Sequence, residues 1–155
     1  RRLRHVLPIT SLSARTSRKA PSSAAFPTVG ALKADLRHWC SPIEDQGRIG
    51  SCTAQATVGA LEYFERKTRG QHVDASRLFL YRATRKFLGW EGQGDTGAFV
   101  RSAIKSLRLF GTCPERYWPY DESAWDAEPA AFHYAYAQNF KAVEYFKLSL
   151  DTDEL

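Results

Sequence analysis

One of the three cysteines in this 155-residue sequence is set the way a nucleophile is set. Cys52 ends the stretch Gln46-Gly47-Arg48-Ile49-Gly50-Ser51-Cys52 and opens a run of residues with helical spacing. A thiol at a helix start lies at the positive end of the macrodipole, beside backbone N–H groups with no helical partner, so the charge of a thiolate is favoured there. Gln46 adds a neutral amide six residues upstream, and Gly47 and Gly50 permit the bend that would return it to the sulfur. The Gln46 amide and the backbone N–H of Cys52 would then point at one developing oxyanion, which is the chemistry of acyl transfer to sulfur. Without those neighbours, Cys52 would read as a small buried hydrophobe.

Positioning such a group requires a rigid helix behind it. Ser51 is a candidate N-cap, and Ala54, Val58, Leu61 and Phe64 recur at helical spacing. Glu62 with Arg66 and Glu65 with Arg69 are i,i+4 pairs, and Gly70 is a C-terminal stop. A second helix is expected from near Asp74 through Leu78, Phe79, Tyr81 and Phe87 to Gly89. A third is expected to open at Asp95 or Thr96, bury Phe99, Val100, Ala103, Ile104 and Leu107, and stop at Gly111. Residues 128–138 read as a short helix with Pro129 in its first turn. Residues 141–149 alternate like a strand with Val143, Tyr145 and Phe146 on its buried side, and Asp151 to Glu154 reads as another helix beginning. A lone strand leaves its backbone unpaired, so its partners are expected outside these 155 residues.

The stretch from Gln46 to Cys52 resembles the active-site segment of the papain family of cysteine peptidases. Ala34-Asp35-Leu36-Arg37 is similar to that family's entry strand, Asp95-Thr96-Gly97-Ala98 to its substrate-binding glycine loop, and Tyr117-Trp118-Pro119-Tyr120 to its Tyr-Pro-Tyr turn. These landmarks occur in the family's order over residues 33 to 125, and the resemblance points to a bacterial branch. The local signature C-G-[SA]-C-[WY] reads here Ile49-Gly50-Ser51-Cys52-Thr53, so both flanking positions depart.

The resemblance implies an α+β, papain-like fold, here incomplete: a helical left domain and only the start of a right-hand antiparallel sheet domain. In that frame residues 1–32 are a basic flexible extension, 33–125 the left domain with the nucleophile helix, and 126–155 the opening of the right domain. It further implies that Cys52 is the nucleophile, Gln46 lines the oxyanion hole, Gly97 and Ala98 pair with an extended peptide, and Phe99 and Val100 wall a substrate pocket. The family's usual disulfide would join the positions held here by Ile49 and Asp95, so noncovalent packing is expected to hold the two loops together. Whether Cys40 and Cys113 pair is open. The implied substrate is a peptide or protein, and no metal or organic cofactor is expected.

Such an enzyme also needs an imidazole and a group to orient it, which in papain-type enzymes lie about 130–150 residues after the cysteine. Counted from Cys52, that falls beyond Leu155. His5, His38, His72 and His133 each read as surface or packing histidines. The chain alone is therefore expected to be inactive and to need a complementary C-terminal half, in cis or in trans. The competing reading is a noncatalytic papain-like module that binds peptides or a partner chain.

Composition removes other classes. With 43% hydrophobic residues the chain can bury a core, and its length suggests one domain. The formal charge of +5 sits in the tail: six of the 22 basic residues fall within the first 19 positions, leaving 16 against 17 acidic ones. That arm offers only His5 and Phe26 for base stacking, so a nucleic-acid partner is not expected. It is a solvated tail or, by analogy with the family's propeptides, a segment that blocks the cleft. The cysteines have no metal-ligand spacing, and Gly92-Gln93-Gly94 has neither the preceding strand nor the Lys-Ser/Thr of a phosphate loop. No run approaches the roughly 18 apolar residues of a membrane span, and Val6 to Ile9 is too short for a signal-peptide core. The compartment stays open.

Overall fold

The computed structural model describes residues 35–142 and Tyr145, all within one compact unit, Asp35–Leu155. The basic extension over 1–32, most of the expected strand over 141–149 and the helix start at Asp151 lie outside the described residues. Among the described residues four α-helices follow in order: α1 (Cys52–Arg69), α2 (Arg77–Phe87), α3 (Val100–Leu109) and α4 (Ala131–Ala137), with 3-10 turns at Arg37–Trp39 and Glu122–Ala124. Among the described residues the only β pairing is an isolated bridge between Ala75 and Pro114. Of the stretch 34–37 that resembles an entry strand, Ala34 lies outside the described residues, Asp35 and Leu36 are irregular, and Arg37 opens the 3-10 turn Arg37–Trp39. The Asp35 carboxylate accepts from the Arg37 backbone N–H at 3.1 Å, which folds the chain back locally.

α1 forms as its spacing predicts and ends at Gly70, whose φ of 65° lets its N–H close on the Arg66 carbonyl. Ala54, Val58 and Leu61 are buried, whereas Phe64, one step further along the same series, is 59% exposed. Glu65 pairs with Arg69, but Glu62 does not pair with Arg66. Glu62 is buried, accepting from the Ser41 hydroxyl and from the Ala75 backbone N–H, while Arg66 reaches the Cys40 carbonyl. One buried carboxylate therefore ties the entry segment and the approach to α2 onto α1.

α2 is the centre of the domain. It starts at Arg77, three residues after Asp74, because the Ser76 hydroxyl caps the Phe79 N–H at 3.1 Å while Ala75 is held by Glu62 and Pro114. Its residues from Leu78 to Tyr81 are all fully buried, so the helix is covered all round. Leu78, Leu80 and Tyr81 face a cluster with Ile49, Ala54, Val58, Leu61 and Leu107. Phe79 and Ala83 face a second with Cys113 and Ala137. Each large apolar side chain buried in this way contributes about 1.5–3 kcal/mol.

α3 begins at Val100, not at Asp95 or Thr96, whose side chains are committed elsewhere. Phe99 and Val100 are 62% and 57% exposed, so the buried face of α3 consists of Ala103, Ser106 and Leu107. α4 is shorter than the 128–138 span expected; Pro129 precedes it. It packs on α2 through Tyr134 against Phe79, with ring centroids 5.1 Å apart. No helix in the described residues is long and apolar enough to cross a membrane.

Candidate active site

The loop from Asp45 to Ser51 is turned by Gly47 at φ 61° and fastened at both ends. Gly47 N–H meets the Asp45 carboxylate, and Arg48 N–H meets Glu122 at 2.9 Å. Tyr120, the last residue of the Tyr-Trp-Pro-Tyr turn, donates its phenol to the Gln46 carbonyl at 2.8 Å and lies 2.6 Å from the Ser51 hydroxyl. A phenol has one proton, so Ser51 must be the donor in that second contact. Ser51 consequently does not cap α1, although it occupies the N-cap position. Among the described residues nothing accepts from the backbone N–H groups of Cys52, Thr53 or Ala54. Cys52 itself is exposed. An accessible thiol thus stands beside three unpartnered donors at a helix start, an arrangement suited to a sulfur nucleophile and an oxyanion.

Gln46 is half-buried, and its amide donates to the Ile49 carbonyl at 2.7 Å. That bond closes the loop on itself, and the second amide N–H is not engaged among the described residues. Tyr120 is itself held from behind. Its backbone N–H donates to Glu115 at 2.6 Å, and Glu115 lies 3.2 Å from Arg77, which also pairs with Glu44. Burial pushes the Glu115 carboxyl up from its ordinary value, with the Arg77 guanidinium opposing the shift.

The glycine loop meets the loop before Cys52 at Asp95. Its carboxylate accepts from Gly50 N–H at 2.6 Å and from the Tyr81 phenol. Burial, followed by the hydrogen bond to Asp95, pushes Tyr81 up to about 12, so it stays a donor at all ordinary pH. Gly50 and Gly97 approach so closely that a Cβ on Gly50 would lie 3.0 Å from the Gly97 backbone. Asp95 therefore holds the two loops together without a covalent bond. Replacing Asp95 by Ala leaves a buried phenol and a backbone N–H unpaired, a cost of about 1–3 kcal/mol. The expected result is a melting temperature lower by several degrees, with a smaller loss for Asp95→Asn; thermal unfolding with both variants unchanged would rule out the clamp.

Gly97 takes φ 74°, and Ala98 packs its side chain against the core cluster, not into the open side of the loop. The backbone N–H and C=O of Ala98 have no partner among the described residues. Phe99 and Val100 lie next to them, exposed, and Trp90 meets the Phe99 ring edge-on at 5.6 Å. Sequence spacing gave no sign of Trp90, because it reaches Phe99 only when residues 90–97 fold back.

The described histidines are placed elsewhere. His72 follows the far end of α1, about 27 Å of helix from Cys52. Both ring nitrogens of His133 face carbonyl oxygens, those of Ala130 and Tyr117, and His38 lies against Trp39. All three cysteines are free: Cys40 is exposed, and Cys113 is buried with its thiol pushed up to about 12 by that burial. Among the described residues no group of three or more His, Cys, Asp and Glu side chains is gathered as metal ligands.

Fold and site together define the class: the chain is papain-like, with the helical N-terminal part of a papain-like cysteine peptidase fold. It is similar to xylellain, a cysteine protease from Xylella fastidiosa, at 36% identity and a TM-score of 0.66 over 75% of this chain and 49% of that one. It is 34% identical, over 70% of its own length and 35% of the relative's, to an uncharacterized peptidase C1-like protein of Acanthamoeba polyphaga mimivirus. Digestive procathepsin L 3 from the larval midgut of Tenebrio molitor shares the fold at 24% identity and a TM-score of 0.53, over 72% of this chain and 37% of that one. The chain thus spans about half the length of xylellain and about a third of the viral protein. No family model matches it.

Proposed function

We propose that this chain supplies the nucleophile half of a papain-like cysteine peptidase. The Cys52 sulfur attacks a peptide carbonyl, and the oxyanion is held by the backbone N–H of Cys52 together with the free amide N–H of Gln46. The leaving amine takes a proton from an imidazole, and water then hydrolyses the thioester. Gly97, Ala98, Phe99 and Val100 receive the substrate. The observation that carries this reading is the exposed Cys52 at the start of α1 beside unpartnered N–H groups.

The imidazole and its orienting group come, in this reading, from a complementary half. An apolar groove along α1 and α3, lined by Ala60, Phe64, Ile104 and Leu107, supports a partner domain there. The second reading, a noncatalytic binding module, is favoured by one feature: the Gln46 amide is turned onto Ile49. Limiting iodoacetamide on folded protein, followed by mass mapping, separates the two. Cys52 should alkylate several-fold faster than Cys40, which is also exposed; faster labelling of Cys40 would count against a nucleophile role.

A further inference from the structure

Three arginines of α2 are buried, and two are matched by carboxylates: Arg77 by Glu44 and Glu115, Arg82 by Glu91, Asp126 and Glu128. Arg85 differs. It is 0% exposed, yet no carboxylate lies at ion-pair distance among the described residues. Its guanidinium donates instead to the carbonyls of Trp90, Gln93 and Gly94 at 2.9–3.0 Å and to the Thr96 hydroxyl at 3.0 Å, with the Gly97 carbonyl at 3.5 Å. Two aromatic rings flank it, Trp125 at 4.8 Å and Tyr81 at 5.5 Å, and Tyr81 is the residue that also grips Asp95.

One cation therefore organises the whole segment from Trp90 to Gly97. That segment contains Gly92, Gly94 and Gly97, and left to itself a chain so rich in glycine samples many conformations. Arg85 draws its carbonyls inward, while the adjacent backbone N–H and C=O of Ala98 stay unpartnered. An extended peptide pairs with such an edge by main-chain hydrogen bonds, and its affinity depends on the edge being held in place beforehand. A lysine cannot do the same: an ammonium is a point charge with three donors, whereas the guanidinium is a planar fork that bonds several carbonyls at once and stacks between rings.

We infer that Arg85 is a positioning residue for substrate: by gathering the carbonyls of residues 90–97 it presents the Ala98 backbone to an extended peptide, without touching substrate or Cys52. The inference rests on the peptidase reading above. Its test compares two reagents for Cys52 in the whole protein, iodoacetamide and an extended peptidyl chloromethyl ketone, because only the second needs the loop. In Arg85→Lys the peptidyl rate constant should fall about 10- to 100-fold, in line with the cost of a misplaced binding group, while the iodoacetamide rate stays within about twofold. With a peptide substrate, KM should rise by more than kcat falls. Trp125→Leu, which removes one stacking ring and leaves the fork intact, should show a several-fold loss with the same selectivity, and it carries the test if Arg85→Lys does not fold. An equal loss with both reagents, or no loss with either, overturns the role of Arg85. If wild-type Cys52 reacts no faster with the peptidyl reagent than with iodoacetamide, the peptidase reading itself fails, whatever Arg85 does.

Discussion

Replacing Cys52 by Ala should lower peptide hydrolysis by the protein joined to its proposed complementary half at least about 10⁴-fold, since in the proposed reading Cys52 belongs to a nucleophile–base unit whose members act together, and removing one costs nearly as much as removing all. The thermal stability should hardly move, because the side chain is exposed at the start of α1 and makes no hydrogen bond within the described domain. The same substitution in residues 1–155 alone should change nothing measurable. His72 lies beyond the far end of α1, and the ring of His133 is engaged by Tyr117 and Ala130. His38 lies against Trp39, two residues from Cys40, whose carbonyl takes Arg66 near that same far end, so none of the described histidines is expected to serve the thiol as base. The measurement is turnover of a fluorogenic peptide by four proteins: whole and partial, each with and without Cys52. Turnover by residues 1–155 that vanishes with Cys52→Ala would mean that a local histidine serves as base. Turnover by the whole protein that survives the substitution would remove Cys52 from the chemistry.

The largest effect on stability is expected at Gly111. This glycine ends α3 at φ 77°, donating its N–H to the Leu107 carbonyl. A Cβ there would lie 1.9 Å from the Ala137 carbonyl oxygen and 2.8 Å from that of Phe140, both backbone atoms that cannot swing aside. Gly111→Ala must therefore push the end of α4 away, breaking the Thr112 N–H bond to Phe140 and loosening Tyr134 from Phe79. Strain and lost packing together should cost about 3–5 kcal/mol. Gly70 is the natural control. It has a similar φ of 65°, but nothing lies within 4 Å of its missing Cβ, so Gly70→Ala should cost only about 1 kcal/mol. Urea unfolding of the two variants decides the matter; equal losses would show that backbone conformation alone, and not the contact with α4, sets the cost at Gly111.

How much of this was legible in the sequence depended on whether a residue's partner lay nearby. α1 was legible because its signals are local: a glycine-bracketed loop, apolar residues at Ala54, Val58 and Leu61, and a left-handed stop at Gly70. The papain-like resemblance was legible as well, since it rests on short motifs in a fixed order and not on their packing. α2 was harder to read. Arg77, Arg82 and Arg85 break its apolar face, and nothing local shows that they are buried, because most of their partners come from distant segments, from Glu44 to Glu128. The start of α3 was misplaced for the same reason. Asp95 and Thr96 have the form of helix caps, but the first is taken by Gly50 and Tyr81 and the second by Arg85. A polar side chain goes to whichever unpaired donor or acceptor the folded chain brings within 3 Å, and a buried one left without a partner costs more than a missing cap. The sequence by itself therefore determined α1 with Cys52 at its start, and the class of fold. Only the tertiary structure decided that Tyr120, Asp95 and Arg85 hold the loops around Cys52, because Tyr120 and Asp95 bond groups that are distant in the chain and Arg85 bonds carbonyls that converge on it only once residues 90–97 have folded back.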